Sequence, residues 1–335
     1  MENKIAVNFF QRRPRSGFSF SVEFIFEDIR KRLADKIVAN LFLSRCYNDG
    51  FYTKIINIIE AAFRQNKDIN HITGEVHFLN LLMNKRRVLL TILDCGMMPR
   101  KKGLAKKIVN WLYLSAPVKK ANIVTAISEV TKQEIIHYTK CNPDKIRVIP
   151  VAVNPNFQPA PKTFNKEKPV VLHIGTGFNK NLMRLIEALK GIDCHLTIVG
   201  KLNEEYLEML KVNDVEYSNE YNISNDRLLE KYLECDIMVF VSTFEGFGMP
   251  IVEANAVERV VVTSNISSMP EVAGKAACLV DPYNVAAIRS GILKVINDDT
   301  FREGLIHNGR VNKLRFEPGK IAEMYYDLYK EMLSV

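Results

Sequence analysis

Asp236-Ile-Met-Val-Phe-Val-Ser242, followed by Phe244-Glu245-Gly246-Phe247-Gly248-Met249-Pro250-Ile251-Val252-Glu253, decides the architecture of this chain. The first run is short and apolar, the pattern of a strand buried on both faces of a parallel sheet. Pro250 is well placed as the first residue of a helix, because its missing N–H would have no partner there. Glu245 then lies on a strand-to-helix loop and Glu253 about one turn inside the helix. Gly246 and Gly248 let the backbone approach a ligand closely. The helix N-terminus offers unpaired N–H groups and a positive dipole end to an anion. Two carboxylates eight positions apart beside such a site suit a ligand that is hydroxylated at some points and phosphorylated at others.

Outward from this stretch, short apolar runs alternate with amphipathic ones. The first half predicts strands at 5–10, 36–43, 70–73, 88–93, 123–127 and 146–149, with helices near 21–34, 51–65, 76–84, 104–116 and 129–138. The second half predicts strands at 170–174, 195–199, 215–217, 237–241 and 260–263. Its helices fall near 180–190, 203–212, 226–234, 250–257, 284–297 and 300–313. Alternating β and α implies parallel sheets covered on both faces. Between the halves, residues 150–161 hold four prolines in twelve positions, a hinge rather than an element. The expected architecture is α/β, with two doubly wound, Rossmann-like domains facing across a cleft. The first domain covers 1–150, a linker 151–168, the second domain 169–316 and a last helix 317–335. Ile321, Met324, Tyr325, Leu328 and Met332 share one face of that last helix. Ligands in such folds bind beyond the C-terminal ends of the strands.

Composition narrows the function classes. The chain has 335 residues and 47% hydrophobic content, enough for two ordinary cores. No apolar run approaches the roughly 20 residues of a membrane-spanning helix. The N-terminus reads as cytoplasmic rather than as a signal peptide, since Arg12, Arg13 and Arg15 follow a short apolar stretch. The six cysteines are scattered without a Cys-x-x-Cys pair, which points to neither a zinc site nor a redox motif. The net charge is +8 and concentrates in the first 120 residues, but no nucleic-acid-binding motif accompanies it. Arg100-Lys-Lys-Gly-Leu104-Ala-Lys-Lys-Ile108-Val-Asn-Trp111-Leu112 is a basic amphipathic stretch. It fits either an anionic membrane surface or an ordinary helix with a solvated basic face and a buried tryptophan.

A second glycine loop, Leu172-His173-Ile174-Gly175-Thr176-Gly177-Phe178-Asn179-Lys180, ends another strand. Gly175 and Gly177 free backbone donors, and Lys180 supplies charge for a phosphate. It lacks the third glycine of a dinucleotide fingerprint. His71 and His77 flank Ile-Thr-Gly-Glu-Val, and a lone histidine beside a strand is more often structural than a ligand.

Glu-x7-Glu within Glu-Gly-Phe-Gly-Met-Pro-Ile-Val-Glu-Ala resembles the signature of the retaining glycosyltransferases of family 4, which have the GT-B fold. Ser267-Ser268-Met269-Pro270-Glu271-Val272-Ala273-Gly274 and Leu279-Val280-Asp281-Pro282 match the usual continuation. The resemblance implies a metal-independent, retaining transferase with a nucleotide-sugar as substrate, no cofactor, and a glycan or lipid-linked acceptor. It places the enzyme in surface polysaccharide synthesis, in the cytoplasm or on the inner face of the membrane. By the same resemblance Glu245, Lys180 and Asp94 are the catalytic candidates. Glu253, Gly246, Phe247, Gly248, Gly175, Thr176 and Gly177 would bind the donor, Glu253 through ribose hydroxyls. Gly17 and Ser19 would lie on the acceptor side. Leu93 stands where many relatives have a histidine near the reacting carbon, and Thr176 where the family usually has an arginine. Two other readings therefore stay open, a sugar-nucleotide epimerase of the same architecture and a binding subunit that has lost catalysis.

Overall fold

The computed structural model describes residues 4–14, 21–98 and 103–334. The chain forms two compact units, Met1–Ala152 with Pro318–Val335, and Val153–Glu317.

In the first unit the strands are β1 (Ile5–Gln11), β2 (Ile37–Leu43), β3 (Ile69–Ile72), β4 (Val88–Ile92), β5 (Ile123–Ala126) and β6 (Ile146–Val148). All pair in parallel, in the order β2-β1-β3-β4-β5-β6. The helices are α1 (Ser21–Arg32), α2 (Phe51–Phe63), α3 (Gly103–Asn110), α4 (Ala116–Lys119) and α5 (Glu129–Thr139). The central strands β3, β4 and β5 are buried throughout, as an uninterrupted apolar run requires when helices cover both faces. The helix Pro318–Leu333 belongs to this unit and packs Ile321, Tyr325, Leu328, Tyr329 and Met332 onto Phe9 and Phe26. His71 lies beneath it, with Nδ1 2.9 Å from the Tyr329 hydroxyl and Nε2 2.8 Å from Thr91 Oγ1. Burial lowers its pKa to about 3, so this histidine is neutral and structural.

The second unit runs β7 (Val170–Ile174), α6 (Leu182–Leu189), β8 (His195–Val199), α7 (Glu204–Val212), β9 (Tyr217–Glu220), α8 (Asn225–Glu234) and β10 (Ile237–Phe240). It continues with α9 (Met249–Ala256), β11 (Val260–Ser264), α10 (Met269–Ala273), β12 (Cys278–Val280), α11 (Val285–Asn297) and α12 (Asp299–Asn312). The final helix Pro318–Leu333 is then α13. This sheet is also parallel, ordered β12-β11-β10-β7-β8-β9. β7 and β10 are neighbours at its centre, so the two loops that follow them emerge side by side.

Several sequence expectations shift. The stretch 76–84 holds a 3-10 helix, His77–Leu82, whose buried Asn80 donates its side-chain amide to the Pro117 carbonyl. The stretch 104–116 is broken by a π-helical turn at Trp111–Ser115, where Asn110 Nδ2 donates to Ser115 Oγ and to the Tyr138 carbonyl. Trp111 is 60% exposed there, which removes the buried-tryptophan alternative. The strand expected at 215–217 lies at Tyr217–Glu220, a polar edge strand without an apolar run to mark it. Pro250 is the second residue of its helix rather than the first, because Gly248, at φ 113°, turns the chain one residue earlier. Lys180 ends a 3-10 turn, Phe178–Lys180, ahead of α6.

Candidate active site

The loops after β7 and β10 are joined by their own polar groups. The Asn179 carbonyl accepts from the Thr243 amide at 2.8 Å. Asn179 Nδ2 donates to the Phe244 carbonyl at 2.9 Å and to Glu245 Oε1 at 3.2 Å. The same Oε1 accepts from Lys180 Nζ at 2.7 Å, in a pair with side chains 24% and 15% exposed. The ammonium also sits 4.8 Å from the centre of the Phe240 ring. Gly175 makes this possible: at φ 91° it accepts a conformation most residues avoid, and a Cβ there would meet the Lys180 stem at 3.0 Å. Lys180 is therefore laid across Gly175 onto Glu245.

Two serines hold the second loop from the other side. Ser267, itself left-handed at φ 58°, donates to the Glu245 carbonyl at 2.8 Å and accepts from the Glu245 amide at 3.2 Å. Ser268 Oγ lies 2.6 Å from the Phe247 carbonyl. The Phe247 side chain points into the core, edge-on to Phe316, so Phe247 presents backbone rather than ring to a ligand. Gly248 is buried behind it.

Glu253 projects from α9, half-buried. Its Oε2 accepts from the hydroxyl of the fully buried Tyr232 at 2.5 Å. Burial raises the Glu253 carboxyl to about 6, while the tyrosine bond acts to lower it. Thr176 is oriented differently from its neighbours. Its hydroxyl donates to the Lys201 carbonyl at 2.8 Å and its own carbonyl accepts from the Tyr206 hydroxyl. Gly177 caps the 3-10 turn ahead of Lys180. At the base of the β7 loop His173 is buried, with Nδ1 on the Val239 carbonyl and Nε2 without a partner, and burial lowers its pKa to about 4.

The first unit has its own cavity of about 360 Å³, lined by Arg12, Glu75, His77, Leu93, Asp94 and Tyr113 among others. All of these but Tyr113, which comes from the π turn, stand just past the C-terminal ends of β1, β3 and β4, where ligands of α/β sheets bind. Arg12 pairs with Glu75 at 2.5 Å, and Asp94 accepts from the Gly96 amide at 2.8 Å. His77 Nδ1 is 2.7 Å from the Tyr113 carbonyl, and burial lowers its pKa. Behind Asp94, burial and then the Asp94 charge raise the Glu134 carboxyl to about 7, against a bond from the Cys95 amide. Glu134 Oε2 has no partner. Gly17 and Ser19 lie outside the described residues. Among the described residues no group of three or more metal-ligating side chains converges.

The structure thus brings Lys180, Glu245, Gly175 and the Gly246–Gly248 backbone together, with Glu253 on the helix the same loop feeds. Asn179, Tyr232, Ser267 and Ser268 were not singled out for these roles by sequence. The serines fall inside a quoted motif. Tyr232 has no signal beyond its core spacing on α8.

Known proteins resemble this one in sequence and in fold. The chain is 25% identical over 247 residues to the serotype-specific mannosyltransferase WbdA of Escherichia coli, across 65% of this chain and 30% of that protein. It therefore spans about a third of the length of that relative. It is 24% identical over 250 residues to a Campylobacter jejuni transferase, across 71% of this chain and 68% of that one. That enzyme is named N-acetylgalactosamine-N,N'-diacetylbacillosaminyl-diphospho-undecaprenol 4-alpha-N-acetylgalactosaminyltransferase. The Anabaena protein Alr3699/HepE, solved in complex with UDP and glucose, superposes with a TM-score of 0.78 at 16% identity, covering 97% of this chain and 99% of that one. At that identity the likeness establishes the fold, two parallel-sheet Rossmann-like domains of the GT-B class. Residues 155–312, which carry both glycine loops and both glutamates, match the family model described as glycosyl transferases group 1.

Proposed function

We propose that this protein is a retaining, metal-independent glycosyltransferase that moves a sugar from a nucleotide-sugar donor to a glycan or lipid-linked acceptor in surface polysaccharide synthesis. The observation that carries the reading is the pairing of Lys180 with Glu245 on adjacent loops, with Glu253 one turn into the following helix. Glu253, as a carboxylate with one oxygen already held by Tyr232, has acceptor capacity left for ribose hydroxyls. The amides of the Gly246–Gly248 loop face the donor sugar and phosphate. Lys180 is a cation within reach of a leaving diphosphate, where negative charge grows in the transition state. Releasing Lys180 from Glu245 toward the phosphate frees that carboxylate to accept from the sugar. The first-unit cavity, with Asp94 and the Arg12–Glu75 pair, takes the acceptor. The diphospho-lipid substrate named for the Campylobacter relative supports an acceptor of that kind.

Membrane contact fits the same reading. Leu104, Ile108 and Trp111 are 73%, 55% and 60% exposed, next to the exposed Lys107. Such a face suits peripheral docking on an anionic inner leaflet. No helix among the described residues is long and apolar enough to cross a membrane.

The test is a panel of UDP-, GDP-, ADP- and dTDP-sugars. One nucleotide raises the melting temperature, by about 2.7 kcal/mol of stability at 100 times its Kd. The same sugar is then transferred in the presence of chelator, with the anomeric configuration kept in the product by NMR. Leu93 favours a second reading, a binding subunit without turnover. That reading gains if a nucleotide stabilises the protein but no acceptor extract yields product.

A further inference from the structure

Helix α2 is inside out. Its exposed residues are Phe51, Tyr52, Ile55, Ile56, Ile59 and Phe63, and every one is a large hydrophobe. Phe51, Tyr52 and Phe63 are 71%, 80% and 86% exposed. The spacing from 52 through 55, 56, 59 and 63 draws one stripe along the helix. The polar residues point elsewhere and are already satisfied. Lys54 Nζ donates to the Asn48 and Gly50 carbonyls at 2.8 and 3.1 Å. Buried Asn57 bonds both the amide and the carbonyl of Cys46, and Glu60 pairs with Arg64 at 3.0 Å. At roughly 150–250 Å² per large side chain the stripe offers on the order of 700 Å². That exceeds the ~300–600 Å² of the largest patch on a typical monomer and approaches the ~800 Å² each partner gives a stable interface.

We propose that this stripe is the contact face of a homodimer, α2 packed antiparallel on α2 of a second copy about a two-fold axis. The stripe is self-complementary in the way such an axis demands. Aromatics stand at both ends and isoleucines between, so antiparallel pairing sets aromatics on aromatics and isoleucines on isoleucines. No exposed residue of α2 is charged, so self-pairing brings no like charges together and leaves none buried without a partner. A lipid surface is the poorer occupant. An interfacial helix carries basic residues beside its apolar face, and the one in α2, Lys54, is tied to backbone carbonyls. The inference does not depend on the reaction catalysed.

Sedimentation velocity from about 1 to about 100 µM tests it. The wild-type chain sediments at twice its 38.3 kDa mass. The Ile56→Glu/Ile59→Glu variant sediments as a monomer, its self-affinity weakened at least ~100-fold. Both substituted positions are exposed, so its circular dichroism and melting temperature stay at the wild-type values. A wild-type monomer across the range, or a double variant that still dimerises, overturns the proposal. So does a wild-type monomer whose stripe binds phosphatidylcholine vesicles, which would make a bilayer the occupant.

Discussion

In the Val153–Glu317 unit the charged groups of the site are bonded across two adjacent strand-to-helix loops. In the other unit the cavity gathers its charges from just past the ends of three strands, with Glu134 of α5 behind Asp94. The first arrangement is local and repeated. Strand, glycine turn and helix occur twice side by side; Asn179 bonds the two turns to each other, and Ser267 and Ser268 hold the second from its other side. The second is assembled from distant segments, with the exposed carboxylates Glu75 and Asp94 among its lining residues. A preorganised site should tolerate little change, whereas a site on open loops should respond by degrees. Substitutions can break or sharpen that contrast.

The largest effect is expected at Lys180. Lys180→Ala removes the cation proposed for the leaving phosphate and strips Glu245 of its charged partner. The turnover number should fall by about 100- to 1,000-fold with the melting temperature little changed. Steady-state kinetics beside a thermal melt will check this. A tenfold loss or less would mean that backbone amides and helix ends carry the phosphate, and that the pair only fastens the two loops.

Next in size is Glu253. Glu253→Ala should weaken nucleotide-sugar binding by about 1.5–3 kcal/mol, the range for hydrogen bonds to a charged group. The wild-type binding should also depend on pH. Burial holds the carboxyl near 6, so its proton is kept below that pH and lost above it. On the proposed contact, ribose hydroxyls would donate to the ionised form, so affinity should rise as pH climbs through about 6. Glu253→Gln should flatten the profile, and Tyr232→Phe, which removes a bond that favours ionisation, should move its midpoint upward. Calorimetric titration at several pH values reads all three.

Asp94 should give a smaller effect confined to the other substrate. Asp94→Asn should raise the acceptor KM by about fivefold, the worth of one ordinary hydrogen bond, with the donor Kd unchanged. An equal change in the donor Kd would assign Asp94 to the donor and erase the contrast between the units.

The same contrast governs how much could be read from the sequence. The loops after β7 and β10 are legible because apolar runs of strand length end in glycine, and Pro250 marks a helix start. The two-sheet architecture follows from the repetition of that unit. What escaped has no local signature. β9 is Tyr-Ser-Asn-Glu, a polar edge strand recognisable only by its pairing with β8. β12 is three residues long. The π turn at Trp111 depends on Asn110 reaching Tyr138, far along the chain. Tyr232 meets Glu253 from a neighbouring helix, a contact that spacing along one element cannot express. Glu134 lies six residues past a serine cap, and its importance arises only when folding brings it behind Asp94.

Glu134 gives the smallest effect and the clearest sign. The folded protein keeps its proton up to about pH 7, whereas an unperturbed glutamate releases it near 4.5. Between those values the folded state binds more protons than the unfolded chain, so this group's contribution to stability declines as pH rises. The contribution is complete below about 4.5 and gone above about 7. Glu134→Gln removes the ionisable group, so its melting temperature relative to wild type should increase between acid and neutral pH, by about 2–4 °C. Asp94→Asn removes the neighbouring charge that helps raise Glu134, so the decline should end at a lower pH in that variant. If Asp94→Asn leaves the window unmoved, burial alone sets it. Asp94 and Glu134 would then act independently, unlike Lys180 and Glu245 in the other unit, which are bound to each other directly.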